Sequence, residues 1–327
     1  MADSMGESTT PLDEAPGFVG STSGPTLIYL HIGKTAGVTL HQVLQRQFPS
    51  SRTLWLHGSI VAGGATAGDD PSASVPPGSE ARPTREMSLE YVASLPPERL
   101  ARVRLVEGHI IFGLHRLLPR PSVYATFLRE PIARVISGYG YIRRRPRHPL
   151  YALSHRLPLD AFLRSGAAIQ LDNGQTRAIA GDTTTAFGAC GPELLAAARR
   201  NIEDHFVVVG LTERFDESLL LMRRAFGWRN VHYVPANVSR RPPSTSVIDA
   251  RTRGTIEEFN GSDLQLYEWV RERLEGAIEA ASGLPELRRF RRMNALYRPW
   301  GRLTHTFPRA VLAAVRRGEP GRTAPDR

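Results

Sequence analysis

Apolar residues recur along the chain with two periods, one typical of strands and one typical of helices. Short, nearly continuous apolar runs predict buried β-strands, and these runs cover residues 26–32, 103–109, 122–128, 205–211 and 231–234. Helical spacing predicts α-helices over residues 38–48, 131–145, 216–226 and 263–278. Strands that alternate with helices predict an α/β fold with a central, mostly parallel sheet flanked by helices on both faces. Such a sheet binds ligands at the carboxyl ends of its strands.

Composition divides the chain of 327 residues into three parts. Residues 1–24 are rich in Ser, Gly, Thr, Pro and acidic residues and are predicted to form a disordered lead-in. Residues 25–285 are predicted to form a single domain, in which the low-complexity segment 58–87 is a long, flexible surface loop. Residues 286–327 form a basic C-terminal extension, with 11 Arg against three acidic residues, and carry most of the chain's net charge of +10.

The basic extension leaves several partners open. An Arg-rich segment can contact nucleic acid, an anionic membrane surface or an acidic protein, or can keep the protein soluble. Phe290, Tyr297 and Trp300 lie among the arginines, but Pro299 and Pro308 interrupt a sustained amphipathic pattern. We therefore expect a solvated or loosely docked extension, for which an anionic surface is a candidate partner and nucleic acid is a poor one.

Cysteine content and hydropathy bear on the cellular location. Cys190 is the only cysteine, so neither an internal disulfide nor a Cys-based metal site is expected. The chain begins M-A-D-S-M-G-E-S, without the basic and apolar segments of a secretory signal. No window approaches the roughly 18 uninterrupted apolar residues that indicate a transmembrane helix. We expect a cytoplasmic protein without a transmembrane segment.

Residues 28–40, I-Y-L-H-I-G-K-T-A-G-V-T-L, contain Lys34, the only lysine in a chain with 41 arginines. A strand, a glycine-containing turn and a helix form an arrangement that binds phosphate, because backbone N–H groups of the turn and helix N-terminus point at the anion. A lysine adds a compact charge that differs from a guanidinium in shape and hydration. A Walker A loop would need its first glycine where Ile28 stands, so a P-loop nucleotide-dependent kinase is the weaker interpretation.

The same segment resembles the 5′-phosphosulfate loop of sulfotransferases that use 3′-phosphoadenosine 5′-phosphosulfate (PAPS). The most similar branch contains the heparan and dermatan uronyl 2-O-sulfotransferases and their bacterial relatives. The resemblance implies that the loop holds the 5′-phosphate, that Lys34 stabilises the leaving phosphate, and that the PAPS-binding residues here are Lys34, Thr35, Ala36, Gly37, Val38 and Thr39. Gly33 stands where the family usually has proline. Val38 replaces the usual Thr or Ser, which removes one hydroxyl contact.

Residues 125–141, A-T-F-L-R-E-P-I-A-R-V-I-S-G-Y-G-Y, resemble the 3′-phosphate motif of the same family. In that motif an Arg ends a strand and a Ser follows eight residues later on a helix; here these residues are Arg129 and Ser137. A guanidinium at a strand end can bind phosphate through two hydrogen bonds, and a hydroxyl two turns into the helix can contact the other side. Arg134 lies one turn before Ser137 and can assist.

Transfer of a sulfuryl group to a hydroxyl needs a base, and histidine suits neutral pH. His109 lies in V-E-G-H-I-I-F, which resembles the G-H-x-x-F motif that carries the catalytic histidine in this branch of the family. In an extended chain Glu107 and His109 face the same way, so Glu107 can orient the imidazole, raise its pKa or serve as the base itself. His31, on the first strand, is the rival candidate, although a buried structural role suits it better.

Residues 171–181, L-D-N-G-Q-T-R-A-I-A-G, also resemble a family segment. The resemblance implies that Asn173, Gln175 and Arg177 lie near the acceptor, where a guanidinium suits an acidic sugar. These three side chains can equally order the loop through hydrogen bonds. Residues 237–243, N-V-S-R-R-P-P, lie where relatives close over the cofactor.

Taken together, the resemblance implies a sulfotransferase that moves a sulfuryl group from PAPS to an acceptor hydroxyl on a glycan or glycoconjugate, without a metal. It covers about residues 26–280. Two other classes stay open: a P-loop kinase, which needs a carboxylate for Mg²⁺ at a neighbouring strand end, and a polyanion-binding protein that acts through the basic extension.

Overall fold

The structure of the protein is a computed structural model that describes residues 24–56, 85–236 and 248–299. Three predictions therefore lie wholly or largely outside the described residues: the lead-in over 1–24, the loop over 58–87 and the segment 237–243 that was expected to close over the cofactor. The last three residues of the predicted loop are described, and they are helical.

Within the described residues, five strands form one parallel sheet. They are β1 (Thr26–Leu30), β2 (Thr53–Leu56), β3 (Leu105–Gly108), β4 (Ser122–Leu128) and β5 (Phe206–Leu211). Their spatial order is β2-β3-β1-β4-β5, and every neighbouring pair is parallel. The prediction of a single α/β domain with a central parallel sheet flanked by helices is confirmed.

Helices connect the strands and cover the sheet. They are α1 (Gly37–Gln47), α2 (Arg85–Ser94), α3 (Pro97–Arg102), α4 (Pro131–Arg143), α5 (Tyr151–Arg156), α6 (Leu159–Arg164), α7 (Gly174–Ala180), α8 (Pro192–His205), α9 (Phe215–Phe226), α10 (Ala250–Phe259), α11 (Gly261–Ala280), and α12, which covers 287–299. The four predicted helices correspond to α1, α4, α9 and α11. Among the described residues, no helix combines the length and the apolar character needed to cross a membrane.

One predicted strand is wrong, and one strand was missed. Residues 231–234 are not in the sheet; they pack beside α1, where Gln47 Nε2 donates to the carbonyl of Asn230 at 2.9 Å. The backbone N–H of Tyr233 donates to the Asn294 side chain at 2.8 Å rather than to a neighbouring strand. The missed strand is β2, whose four residues are too few to show a clear period.

The main core packs against the sheet, and a second apolar cluster lies between α4, α6 and α10. Part of the predicted C-terminal extension also belongs to the packed domain. Phe290 and Asn294 on α12 are buried, and Arg291 pairs with Asp216 at 3.0 Å. A boundary at residues 285 and 286 therefore falls before a helix that docks on the domain, so α12 is not a loose extension.

Candidate active site

The turn after β1 and the residue after β4 meet at the carboxyl edge of the sheet. β1 and β4 are neighbours in the sheet. The chain runs from β1 to β2 at one edge of the sheet and from β4 to β5 at the other edge, and this divergence creates the crevice where parallel sheets bind ligands. Arg129 follows β4, and its Nη1 atom donates a hydrogen bond to the backbone carbonyl of Lys34 at 3.2 Å. The structure thus brings together the two residues that the sequence analysis assigned to opposite ends of one nucleotide.

The lysine loop has an unusual backbone conformation. Lys34 and Ala36 have φ angles of 74° and 63°, in the left-handed region that non-glycine residues seldom adopt. The Thr35 hydroxyl donates to the carbonyl of Ile32 at 2.8 Å and so holds the loop itself. Such strain persists where the surrounding structure enforces it, most often at functional sites.

The N-terminus of α1 is suited to an anion. Its N-cap residue is Ala36, which provides no capping side chain, and its first turn contains no acidic residue. In α4, by contrast, the Glu130 carboxylate accepts hydrogen bonds from the N–H groups of Ile132 and Ala133. First-turn N–H groups without a side-chain cap can bind phosphate, with the helix dipole in support.

Close packing fixes the start of α1. A Cβ atom on Gly37 would lie 1.8 Å from Nε2 of His31, so only glycine fits beneath that imidazole. Thr39 is buried, and its hydroxyl accepts a hydrogen bond from the N–H of Ala236 at 3.1 Å. Val38 is only half-buried. Of the predicted PAPS-binding residues, Thr35 and Thr39 therefore use their hydroxyls within the protein.

The ammonium of Lys34 lies over an aromatic ring. Its Nζ atom is 4.4 Å from the centroid of the Tyr141 ring, a distance typical of a cation–π contact. The guanidinium of Arg145 lies 5.0 Å from the same centroid. Tyr141 follows Ser137 by one turn on α4, so both face the loop side of that helix. The sequence analysis quoted Tyr141 within the motif but gave it no role.

Arg129 has hydrogen-bonding capacity for a phosphate. Its Nε atom is buried and has no hydrogen-bond partner among the described residues. Burial lowers the pKa of Arg129 from its ordinary value, while Glu213 and Glu130 act in the opposite direction. A guanidinium stays charged under such a shift, so an incoming anion would satisfy it.

The structure corrects the suggested role of Arg134. This side chain is buried, its Nη2 atom pairs with Asp263 at 3.3 Å, and its Nη1 atom donates to the carbonyl of Gln170 at 3.0 Å. The guanidinium is committed to joining α4 to α11. It therefore has a structural role rather than one beside Ser137 in phosphate binding.

His109 is held in one orientation beside the lysine loop. Its Nδ1 atom lies 2.9 Å from the carbonyl oxygen of His31, and the two imidazole rings stack with their centroids 4.2 Å apart. A carbonyl oxygen only accepts, so Nδ1 carries the proton, and Nε2 of the neutral ring has a lone pair for a base. The preceding Gly108 is required by close approach, because a Cβ there would lie 1.5 Å from the carbonyl oxygen of Leu56.

Glu107 does not hold His109. Its carboxylate is buried and bonds through Oε1 to Nδ1 of His41, on α1, at 3.0 Å. Its second oxygen has no hydrogen-bond partner among the described residues. Burial raises the pKa of Glu107, and the bond to His41 opposes that shift. The expected roles of Glu107 as orienting group or base for His109 are thus replaced by a buried contact beneath α1.

The residues expected near the acceptor are buried. Arg177 donates all its hydrogen bonds within the protein: to the side chains of Asp172 and Asp182 and to the carbonyls of Asp172, Thr185 and Ala186. Asn173 is buried and bonds to Asp172 and Asp263. Gln175, also buried, contacts Arg129. The acceptor assignment of Asn173, Gln175 and Arg177 is therefore corrected in favour of ordering the loop.

Comparison with known proteins identifies the family. A family model for galactose-3-O-sulfotransferase matches residues 70–298, well over half of the chain. The chain belongs to the galactose-3-O-sulfotransferase family. The predicted sulfotransferase family is confirmed, while the uronyl 2-O-sulfotransferase branch and its bacterial relatives are not. The match begins after the lysine loop, so the loop assignment depends on the geometry given above.

Galactose-3-O-sulfotransferase 3 of Homo sapiens is 30% identical over 200 residues, which are 56% of this chain and 44% of that protein. Galactose-3-O-sulfotransferase 2 of Homo sapiens is 25% identical over 294 residues, which are 84% of this chain and 67% of that protein. The chain thus spans about half to two thirds of the length of these relatives.

Among solved structures, the mouse sulfotransferase SULT7A1 complexed with PAP is similar at a TM-score of 0.34. The sequence identity is 13%, over 74% of this chain and 65% of that chain. A likeness at this level is too weak to define a fold or a ligand.

Proposed function

We propose that this protein is a sulfotransferase that moves a sulfuryl group from PAPS to a hydroxyl of a galactose-containing glycan or glycoconjugate. The observation that carries the proposal is the hydrogen bond from Arg129 to the Lys34 carbonyl, which makes the two candidate phosphate sites contiguous. Family membership supports the reaction type, and the names of the relatives support galactose as the acceptor sugar.

In the proposed binding mode, the 5′-phosphosulfate lies in the turn before α1, where N–H groups lack a side-chain cap. The ribose 3′-phosphate lies at Arg129, whose buried Nε atom needs a partner, with Ser137 on its other side. Lys34 neutralises charge on the oxygen that bridges phosphorus and sulfur. These assignments keep the roles that the sequence resemblance implies.

In the proposed reaction, the acceptor oxygen attacks sulfur while the bond from sulfur to the bridging oxygen of PAPS breaks. The acceptor proton passes to Nε2 of His109, the nitrogen that carries the lone pair in the neutral tautomer selected by the hydrogen bond from Nδ1 to the His31 carbonyl. Adenosine 3′,5′-bisphosphate (PAP) leaves with the bridging oxygen, whose charge Lys34 stabilises. Holding both reactants in line supplies a large part of the acceleration.

The experiment is incubation with labelled PAPS and a panel of galactose-terminated and uronic-acid-containing glycans. Lys34→Ala and His109→Ala are each expected to lower turnover by about 10²-fold or more, the scale for losing a positioned charge or base. His155→Ala is the matched control, because His155 is exposed on α5 and should leave turnover unchanged. Full activity of Lys34→Ala would contradict the mechanism.

The kinase alternative is separated by ligand stabilisation. PAP should raise the melting temperature without magnesium, whereas ATP with magnesium should not. Stabilisation by ATP that requires magnesium, with none by PAP, would favour a P-loop kinase.

As a second proposal, we infer that α12 contacts an anionic lipid surface. Arg289, Arg292, Met293 and Leu296 follow helical spacing along one exposed face, and Met293 and Leu296 are 47% and 67% exposed. Co-sedimentation should be stronger with vesicles containing anionic lipid than with neutral vesicles. Arg289→Glu combined with Arg292→Glu should abolish that difference, and equal binding to both vesicle types would refute the proposal.

A further inference from the structure

The side chain of Gln175 is bonded to both backbone groups of Arg129. Its Oε1 atom accepts a hydrogen bond from the Arg129 N–H at 2.9 Å, and its Nε2 atom donates to the Arg129 carbonyl at 3.0 Å. Arg129 lies just beyond the last residue of β4. A carboxamide has the donor and acceptor of a peptide group, so Gln175 extends the hydrogen-bonding pattern of the sheet by one residue.

Gln175 is itself rigidly held. Gln175 is fully buried near the start of α7, and its backbone N–H donates to Oδ2 of Asp263 at 3.2 Å. The other oxygen of Asp263 accepts from the N–H and the hydroxyl of Thr176, at 2.7 and 2.8 Å. The carboxylate of Asp263 therefore caps α7 and determines where the Gln175 side chain begins.

We infer that Gln175 is a positioning residue that fixes Arg129 in the orientation required to recognise the 3′-phosphate of the nucleotide. Arg129 acts on the ligand, and Gln175 acts only through Arg129. The inference rests on the proposed function, because it concerns the 3′-phosphate end of the same nucleotide site. It also gives Gln175 a role other than the acceptor contact implied by the sequence resemblance.

The backbone of Arg129 matters because its guanidinium must serve two partners. Nη1 is bonded to the Lys34 carbonyl, and the buried Nε atom lies beside it without a partner among the described residues. A rotation of the backbone at Arg129 would move the whole side chain away from the lysine loop. Binding of adenosine 5′-phosphate, which lacks the 3′-phosphate, depends on the loop and should be insensitive to Gln175.

The test measures affinities for PAP and for adenosine 5′-phosphate by calorimetry on the full chain. The ratio of the two affinities reports recognition of the 3′-phosphate. Gln175→Met, of similar length but unable to form either hydrogen bond, should lower this ratio by about tenfold, the scale of one charge-assisted hydrogen bond. Affinity for adenosine 5′-phosphate should change little.

Two further variants separate positioning from stability. Thr255→Val removes a buried hydroxyl that bonds to Arg164 and to the Arg251 carbonyl rather than to Asp263, Gln175 or Arg129, so it should lower the melting temperature while leaving the ratio unchanged. Arg129→Ala should lower the ratio, and adding Gln175→Met to Arg129→Ala should lower it no further. If Gln175→Met fails to fold, Gln175→Asn supplies the measurement, because its neutral carboxamide is one methylene shorter and cannot reach both backbone groups of Arg129.

An unchanged ratio in the folded Gln175 variant would overturn the inference while leaving the proposed function intact. A further loss from Gln175→Met in the Arg129→Ala background would also overturn it. If the wild-type protein does not prefer PAP to adenosine 5′-phosphate, the 3′-phosphate site at Arg129 fails, and the inference fails with it.

Discussion

The sharpest steric test of the candidate site is Gly37→Ala. The added Cβ would lie 1.8, 2.1 and 2.4 Å from the Nε2, Cδ2 and Cε1 atoms of His31. Because nonbonded carbon contacts need about 3.5 Å, the imidazole or the start of α1 must shift by about 1.5 Å. The ring cannot move freely, since it stacks on His109 and its own residue's carbonyl holds the His109 Nδ1 atom.

Overpacking of this kind costs about 1–3 kcal/mol, which corresponds to a roughly 5- to 150-fold change in an equilibrium. The shift would disturb the N-terminus of α1 and His109 together. We therefore expect Gly37→Ala to reduce kcat/KM with PAPS by about 5- to 150-fold and to weaken PAP binding. The assays are initial rates with labelled sulfate donor and calorimetric titration with PAP.

The chain provides a matched control for Gly37→Ala. A Cβ on Gly33, in the same loop, meets no atom within 4 Å, so Gly33→Ala should retain activity within a few-fold of wild type. Adding His31→Ala to Gly37→Ala removes the clashing ring and should restore PAP affinity toward the wild-type value. Wild-type activity and affinity in Gly37→Ala alone would refute the close packing described here.

Three further outcomes are expected. Burial raises the pKa of Glu107 from its ordinary value of 4.5, so the wild-type folded state loses stability as pH rises above 4.5. Glu107→Gln removes this titration, so the melting temperature of the variant minus that of wild type should increase as pH rises above 4.5; a difference that stays constant would contradict this. Phe290→Ala should lower the free energy of unfolding in denaturant by about 3 kcal/mol, because Phe290 is buried where α12 docks. An unfolding midpoint equal to that of wild type would contradict the docking of α12. Tyr141→Leu should lower kcat, because the ring under the Lys34 ammonium is lost, whereas Tyr141→Phe should retain activity; equal loss in both would point to the hydroxyl instead.

The sequence located the elements whose information is local. The apolar run of β4, the Pro131 start of α4 and the long amphipathic α11 all carry their pattern within one segment. The lysine loop is also local, because a strand, a turn and a helix follow one another directly. Lys34 and the glycines Gly33 and Gly37 mark this loop within one short segment, so the loop can be located without knowing which strands are neighbours.

Predictions that depended on contacts between residues far apart in the sequence were less accurate. The Glu107 side chain has the strand geometry expected of it, but it binds His41, which is 66 residues away in the chain. Asp263 organises α7 and α4 from the start of α11, and its only local signal is an acidic residue in the first turn of a helix. Residues 231–234 have the apolar pattern of a strand, yet α1 and α12 take up the polar groups that a sheet would have paired.

The sequence alone therefore determined the chemical groups and the segments that carry them. These are the Lys34 ammonium in a turn, the Arg129 guanidinium after β4 and the His109 imidazole after β3. Only the tertiary structure decided which of these groups meet. Periodicity and turn chemistry act over a few residues, whereas hydrogen bonds such as those between Gln175 and Arg129 join residues that only the packed sheet and helices bring within 3 Å.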